Sequence, residues 1–298
     1  MSSSPQKIRT REIGPDDFNA TLTLLQAGFP HRSRDHWLVA LRRLSEHATP
    51  PGFPRYGYVL EANGVAVGVL LVIFSSVTVD GETRIRANRA SWYVEPAFRS
   101  YASMLSTHPQ AHKQVTFLNI TPARHTWPIL EAQKYVRFCT GHFKAFAVLR
   151  AGPRGAKVEK VTPDILPAED LSPSEVDVLL AHASYGCVSV TCTFDGRRHP
   201  FVFARSRHRW KPFGLPIEVP VPYALLVYCR DLDDFVKFSG PLGRYLAWRA
   251  MPMVFIESMG PVDGLIGRFS ASGPKFFRGP NPPHVGDLTY TEWVMFGQ

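Results

Sequence analysis

The chain has 298 residues, with 34 Lys+Arg against 25 Asp+Glu, 45% hydrophobic residues and 20% charged ones. That length suits two domains, and the hydrophobic share excludes general disorder. Residues 1–150 hold 18 basic and 10 acidic side chains, and residues 151–298 hold 16 and 15, so nearly all of the +9 sits in the first half and favours anionic partners there.

Lys7–Ile13 alternates as a strand does, and Pro15-Asp-Asp-Phe18 opens a helix with Phe18, Leu22, Leu25 and Phe29 at helical spacing. Ser33-Arg-Asp35 starts a second helix carrying Trp37, Leu38, Leu41 and Leu44 on one face, and Pro50–Pro54 ends it. Tyr56–Glu61 and Val65–Val77 flank Asn63-Gly64, a strong hairpin signal, and Asp80-Gly81 leads to a third strand, Arg84–Val94. A helix over Ala97–Ser106, a strand at Gln114–Ile120, a helix over Ala123–Tyr135 and a strand at Phe138–Leu149 complete the order β-α-α-β-β-β-α-β-α-β.

Glycine and proline between 151 and 170 mark a boundary, giving expected domains at 1–152 and 171–298 with a linker at 153–170. The second half repeats the plan loosely. Ser172-Pro-Ser-Glu175 carries a capping-box spacing; strands Cys187–Phe194 and Pro200–Ser206 flank Asp195-Gly196. Tyr223–Cys229, a helix over Asp231–Arg249, Met253–Ser258 and a final strand Leu288–Phe296 follow. The fold class expected is mixed α/β, two sheets flanked by helices in tandem.

No apolar run reaches the roughly 18 residues of a membrane span, the longest being Val65–Phe74 with Gly68 inside it. Met1–Pro5 lacks the basic and apolar segments of a secretory signal, so a cytoplasmic protein is expected. Cys187 and Cys192 stand an odd number of positions apart in a strand, on opposite faces, as reduced core thiols and not as metal ligands. No metal is expected.

Four features of residues 7–149 resemble the GNAT (Gcn5-related N-acetyltransferase) superfamily. They are the element order, the hairpin Tyr58–Gly64 running into Val67-Gly68-Val69, the segment Trp92-Tyr-Val-Glu-Pro-Ala-Phe-Arg-Ser-Tyr-Ala-Ser-Met-Leu105, and Val115–Ile120 followed by a helix. The third is similar to the family pattern V-x-P-x-x-R-G-x-G-x-G-x-x-L: Val94, Pro96, Arg99 and Leu105 match, while Ser100, Ala102 and Met104 replace glycines. A helix start with free N–H groups suits a pyrophosphate, and glycines let the backbone approach it. The resemblance therefore implies cofactor contacts at Tyr93, Val94, Arg99, Ser100, Tyr101, Ala102, Ser103 and Met104. The lost glycines leave open the alternative of a turn that no longer binds a cofactor. Arg84 and Arg86 share a strand face and Arg89 points away.

By the same resemblance, acetyl-CoA or another acyl-CoA lies where the Arg84–Val94 and Gln114–Ile120 strands splay, strand N–H groups polarise the thioester carbonyl, and a base deprotonates an amine acceptor. The family's acid Tyr is missing, because Ile129-Leu130 align with its Leu-Tyr pair. Asn88, Ala90 and Ser91 stand where its base often is. The remaining catalytic candidates are Asn119, His125 and Glu95, with helix-end or structural roles as their alternatives; Glu131 reads as a surface residue.

His31-Arg-Ser-Arg-Asp35 has an acyltransferase-like spacing but reads as a helix cap. Arg205–Lys211 is a basic run with an aromatic, read as a solvated loop before a nucleic-acid contact. Ser239–Arg244 reads as helix packing before a second phosphate loop. The aromatics Phe201, Phe203, Trp210, Phe213, Tyr223 and Tyr228 suit a core first and an acceptor groove second. The function expected is acyl-CoA-dependent N-acyl transfer to a small-molecule amine, with nucleic acid and membrane set aside. Two rivals stand beside it: a degenerate, non-catalytic GNAT-fold ligand-binding or interaction protein, and a tRNA-dependent aminoacyl transferase.

Overall fold

The computed structural model describes residues 7–79, 81–210 and 219–297. Met1–Pro5, Lys211 and Phe213 lie outside the described residues. No described helix is long and apolar enough to cross a membrane. The chain divides into two compact units: Met1–Val136 with Phe276–Pro282 and Tyr290–Gly297, and Arg137–Lys275 with Pro283–Thr289.

The first unit opens with β1 (Ile8–Glu12), α1 (Phe18–Gly28) and α2 (Arg34–Glu46). Ser33 caps α2 by accepting the His36 N–H at 3.1 Å, so this segment is a helix entrance. Then come β2 (Gly57–Ala62), β3 (Val65–Val79) and β4 (Glu82–Val94). Asn63 and Gly64 take φ of 48° and 88°, the left-handed pair that a two-residue hairpin needs. The expected helix at 97–106 is broken up: a 3-10 helix at Pro96–Tyr101, α3 (Ala102–Thr107), then a second 3-10 turn at His108–Ala111. β5 (Thr116–Asn119) and α4 (Trp127–Ala132) follow. Lys134 adopts φ 62° just past α4, and Tyr135 N–H closes on Leu130 O at 3.0 Å.

The second unit contains β6 (Val136–Ala145) from its second residue, β7 (Lys157–Lys160), α5 (Pro173–Ser184), β8 (Val188–Phe194), β9 (Arg197–Trp210), β10 (Val219–Cys229), α6 (Leu232–Ala247) and β11 (Val254–Ser258). The Ser172–Glu175 capping box forms in both directions. β12 (Gly267–Arg278) crosses the division, with Gly267–Lys275 in the second unit and Phe276–Arg278 in the first.

Strand pairing in the first unit runs β1-β2-β3-β4-β5, followed by the end of β12, antiparallel except for β4-β5. In the second it runs β7-β8-β9-β10-β11-β6, antiparallel except for β10-β11. The repeat is thus one of pairing order. Each core lies between sheet and helices: Tyr58, Leu60, Leu70, Phe117 and Phe276 in the first, and Phe201, Phe203, Phe235, Phe238 and Leu242 in the second. Each such fully buried side chain contributes about 1.5–3 kcal/mol.

Several expectations are corrected. The units divide at Val136 and not near 152, because β6 pairs with β11, and strand pairing outweighs local Gly and Pro content. The expected linker holds β7, which pairs with β8. Leu288–Phe296 is no strand: Tyr290 takes φ 55°, which breaks the extended path, and α7 (Glu292–Met295) makes a single turn. Arg43 donates to the Met295 carbonyl at 2.9 Å, satisfying one of the bare carbonyls at its end. Arg205 and Arg207 are exposed on β9 and not on a loop. A Cβ on Gly240 or Gly243 of α6 would stand 2.2 Å from Arg150 O or 2.3 Å from Val148 N, so those glycines serve close packing.

Candidate functional site

β4 and β5 pair over only three registers, Arg86 with Thr116, Ala87 with Phe117 and Asn88 with Leu118. β5 ends at Asn119, while β4 continues on β3 as far as Val94, opposite Gly68. The β5 side of Arg89–Val94 therefore has no strand beside it among the described residues. Within that stretch Ser91 is an extra residue: Leu71 faces Ala90, Leu70 faces Trp92, and Ser91 takes φ 48°. A bulge of this kind bends the strand and re-aims its main-chain groups.

The expected residues fall around this opening. Tyr93 packs its ring against Gly28, where an added Cβ would come within 2.5 Å of it, and Val94 is buried. Glu95 holds the strand end through its main chain, donating N–H to Val67 O at 2.9 Å and accepting from Phe98 N–H at 2.9 Å. Arg99, Ser100 and Ser103 are exposed; Tyr101 and Ala102 pack at the edge of the first core. Met104 is 41% exposed, so its bulk points outward. At the two ends of the 3-10 run, Phe98 N–H bonds Glu95 O and Ala102 N–H bonds Arg99 O. Asn119 closes β5 and pairs with Phe276, and His125 is exposed on the 3-10 turn Arg124–Thr126. Leu130, at the position of the family's acid Tyr, is buried in the core.

Other side chains, none of them put forward as a site residue from the sequence, stand at the opening. Glu292, 8% exposed at the start of α7, accepts hydrogen bonds from the Asn88 side-chain amide and from the Thr121 hydroxyl. A carboxylate 204 positions downstream thus meets the last paired residue of β4. No local signal in a stretch of Val, Trp and Tyr marks it. On the opposite face of β4, Arg89 is 3% exposed. It donates from Nη1 to Tyr135 Oη at 3.0 Å, and its guanidinium carbon lies 5.5 Å from the Tyr135 ring centre and 5.9 Å from that of Trp92. Strand alternation gave its direction; its burial had no sequence signal. Asn88 Oδ1, Arg89 Nε and Trp92 Nε1 are buried without a hydrogen-bond partner. Buried polar atoms are nearly always satisfied, so the unused donors of Arg89 and Trp92 beside the unpaired stretch fit a ligand that brings acceptor atoms.

The second unit has the same opening and fills it. β10 and β11 pair in parallel only at Ala224–Val254 and Leu225–Phe255, and the β9-β10 register slips between Leu226 and Tyr228. Beyond that point the chain's own segment lies along β10: Leu288 N–H bonds Val227 O at 2.8 Å, Cys229 N–H bonds Gly286 O at 2.9 Å, and Tyr228 bridges Asp287. Gly286, at φ 85°, comes so close that an added Cβ would stand 2.4 Å from Cys229 Sγ. Burial pushes the Cys229 thiol well above its ordinary range, as expected for a packed core atom.

No family model matches the sequence, and neither does any curated protein sequence. Solved structures do. A GCN5-related N-acetyltransferase from Anabaena variabilis aligns over 91% of this chain and 72% of its own, with TM-score 0.58 and 11% identity. A putative acetyltransferase from Pyrococcus horikoshii aligns over 97% and 95%, with TM-score 0.54 and 11% identity. Eis1 from Mycobacterium abscessus aligns over 92% and 73%, with TM-score 0.51 and 12% identity. With likeness of this extent over most of the chain, the chain has the fold of the GCN5-related N-acetyltransferases.

Proposed function

We propose that the protein transfers an acyl group from acyl-CoA to the amine of a small molecule, and that the first unit does the chemistry. The observation that carries this reading is the parting of β4 from β5 after Asn88, which leaves a bulged, unpaired strand edge lined by buried polar atoms without partners. The open edge of Arg89–Val94 would hold the pantetheine arm through main-chain groups, with a strand N–H polarising the thioester carbonyl. Arg99, exposed within the 3-10 run, would meet the pyrophosphate, since phosphate favours Arg donors.

Glu292 is the base in this reading, taking the place of Asn119, His125 and Glu95 as first candidate, because it sits at the start of the opening and is held there by Asn88 and Thr121. The amine nitrogen attacks the thioester carbon, a C–N bond forms and the C–S bond breaks. The proton that Glu292 collects from nitrogen balances the one that the departing thiolate needs.

A second reading has one observation in its favour. The amides at both ends of the 3-10 run, Phe98 and Ala102, already bond carbonyls three residues back, which leaves fewer free donors for a pyrophosphate and suits a ligand-binding protein without turnover. Calorimetry with acetyl-CoA and longer acyl-CoAs separates the readings. Binding, with a loss of about tenfold or more in Arg99→Glu, followed by turnover on an amine panel, supports the transferase. Binding without turnover supports the second reading, and no binding of any CoA ester removes the first.

A further inference from the structure

Arg89 is a buried cation with unusual company. Its partners are the Tyr135 hydroxyl and the rings of Tyr135 and Trp92, and no carboxylate reaches it among the described residues. Burying a guanidinium without a counter-charge is costly in the resting protein. Elsewhere this chain pairs its buried charge: Lys275, 3% exposed, bonds Glu257 at 3.0 Å.

The unpartnered atoms around Arg89 say what would offset that cost. Arg89 Nε and Trp92 Nε1 are donors only, and both are buried and unused. An ionised carboxylate is acceptor-only, and a guanidinium matches it in charge and shape. A tetrahedral oxyanion would meet these donors only fleetingly, whereas the burial cost is present throughout, so a stable anion in the bound ground state fits better.

Position decides which part of the substrate carries it. Five strand steps, about 15 Å with the bulge, separate Arg89 from Val94, where the chain turns into the 3-10 run. Arg89 therefore stands at the acyl end of the proposed track and away from the phosphates. It also lies on the face of β4 opposite Asn88 and Glu292, and so away from the proposed acceptor side.

We propose that the acyl group handled at this site ends in a carboxylate, bound by Arg89 with Trp92 Nε1 and Tyr135 Oη beside it. The inference rests on the acyl-CoA reading above and narrows it to carboxyacyl thioesters. The test compares succinyl-CoA with butyryl-CoA, which have the same chain length with and without the charge. Calorimetry on the full chain should give at least about tenfold tighter binding of succinyl-CoA, the scale of one good charged contact. That preference should collapse in Arg89→Met. Trp92→Phe, which keeps the ring and removes one donor, should reduce it several-fold and carries the test if Arg89→Met does not fold. Equal binding of the two esters overturns the inference while the acyl-CoA reading stands. So does a preference for a carboxylate on the amine acceptor when butyryl-CoA is the donor. Failure of every CoA ester to bind overturns both.

Discussion

The two units follow one plan and part company at one place. In each, four strands pair antiparallel down to a bulged strand, and that strand meets its next neighbour in parallel for only two or three registers. In the first unit, the edge exposed by this parting carries Arg89 and Trp92, each with a buried donor lacking a partner. In the second, the equivalent edge is covered by residues 286–288 through main-chain bonds. An open strand edge is either satisfied by the chain itself or left for something else. The same fold thus supplies one unit with an open strand edge and one closed by its own backbone.

The largest expected effect bears on the open unit. Glu292→Gln keeps the shape and loses the proton acceptor, so kcat for amine acylation should fall by about 100-fold or more. The acidic limb of the pH–rate profile should disappear with it, which a purely structural role would not cause. Retained kcat would remove Glu292 as the base and return that role to Asn119, His125 or Glu95. The counterpart in the closed unit is Gly286→Ala, which forces a Cβ against Cys229 Sγ at a φ of 85°. Urea unfolding should register a loss of about 1–3 kcal/mol. Acyl-CoA affinity, measured where the variant remains folded, should stay within about twofold. A large affinity change would mean that the second unit's cleft takes part in binding.

The smallest effect is one of pH. His47 ends α2 buried in the first unit, its Nε2 at 2.9 Å from Phe74 O, and burial lowers its pKa below the ordinary 6.5. Between that lowered value and 6.5 the unfolded chain binds a proton that the folded one refuses, so stability declines as pH falls below about 6.5. Denaturant titrations at pH 5 and 7 should show this difference, and His47→Gln should flatten it. If the units unfold in separate steps, the pH-sensitive step should be that of the first.

Much of the fold was legible because its signals are local. Asn63-Gly64 and Asp195-Gly196 make left-handed hairpin turns, with φ of 48° and 88° and of 49° and 75°, and the Ser172–Glu175 box forms as spaced. What escaped depends on partners far away in the chain. β12 contains Gly273 and Pro274, which argue against a strand, yet it finds ladder partners at Phe117–Asn119. β7 lies in a stretch rich in proline and glycine and is held by β8. At the site, alternation placed Arg89 opposite Arg84 and Arg86 correctly, but nothing nearby shows that it is buried. Glu292 has no sequence signature, since its role comes from a contact with Asn88 across most of the chain.

The division of β12 also sets an order of assembly. The first unit begins at the first strand but needs Phe276–Arg278 beside β5 and Glu292 beside Asn88, and both are synthesised only after nearly all of the second unit. Domains usually fold as they leave the ribosome, N-terminal first. Here the half that starts first finishes last, and its carboxylate arrives when almost everything else is in place. A nascent chain would therefore hold the strand opening for much of its synthesis without the group proposed to act in it.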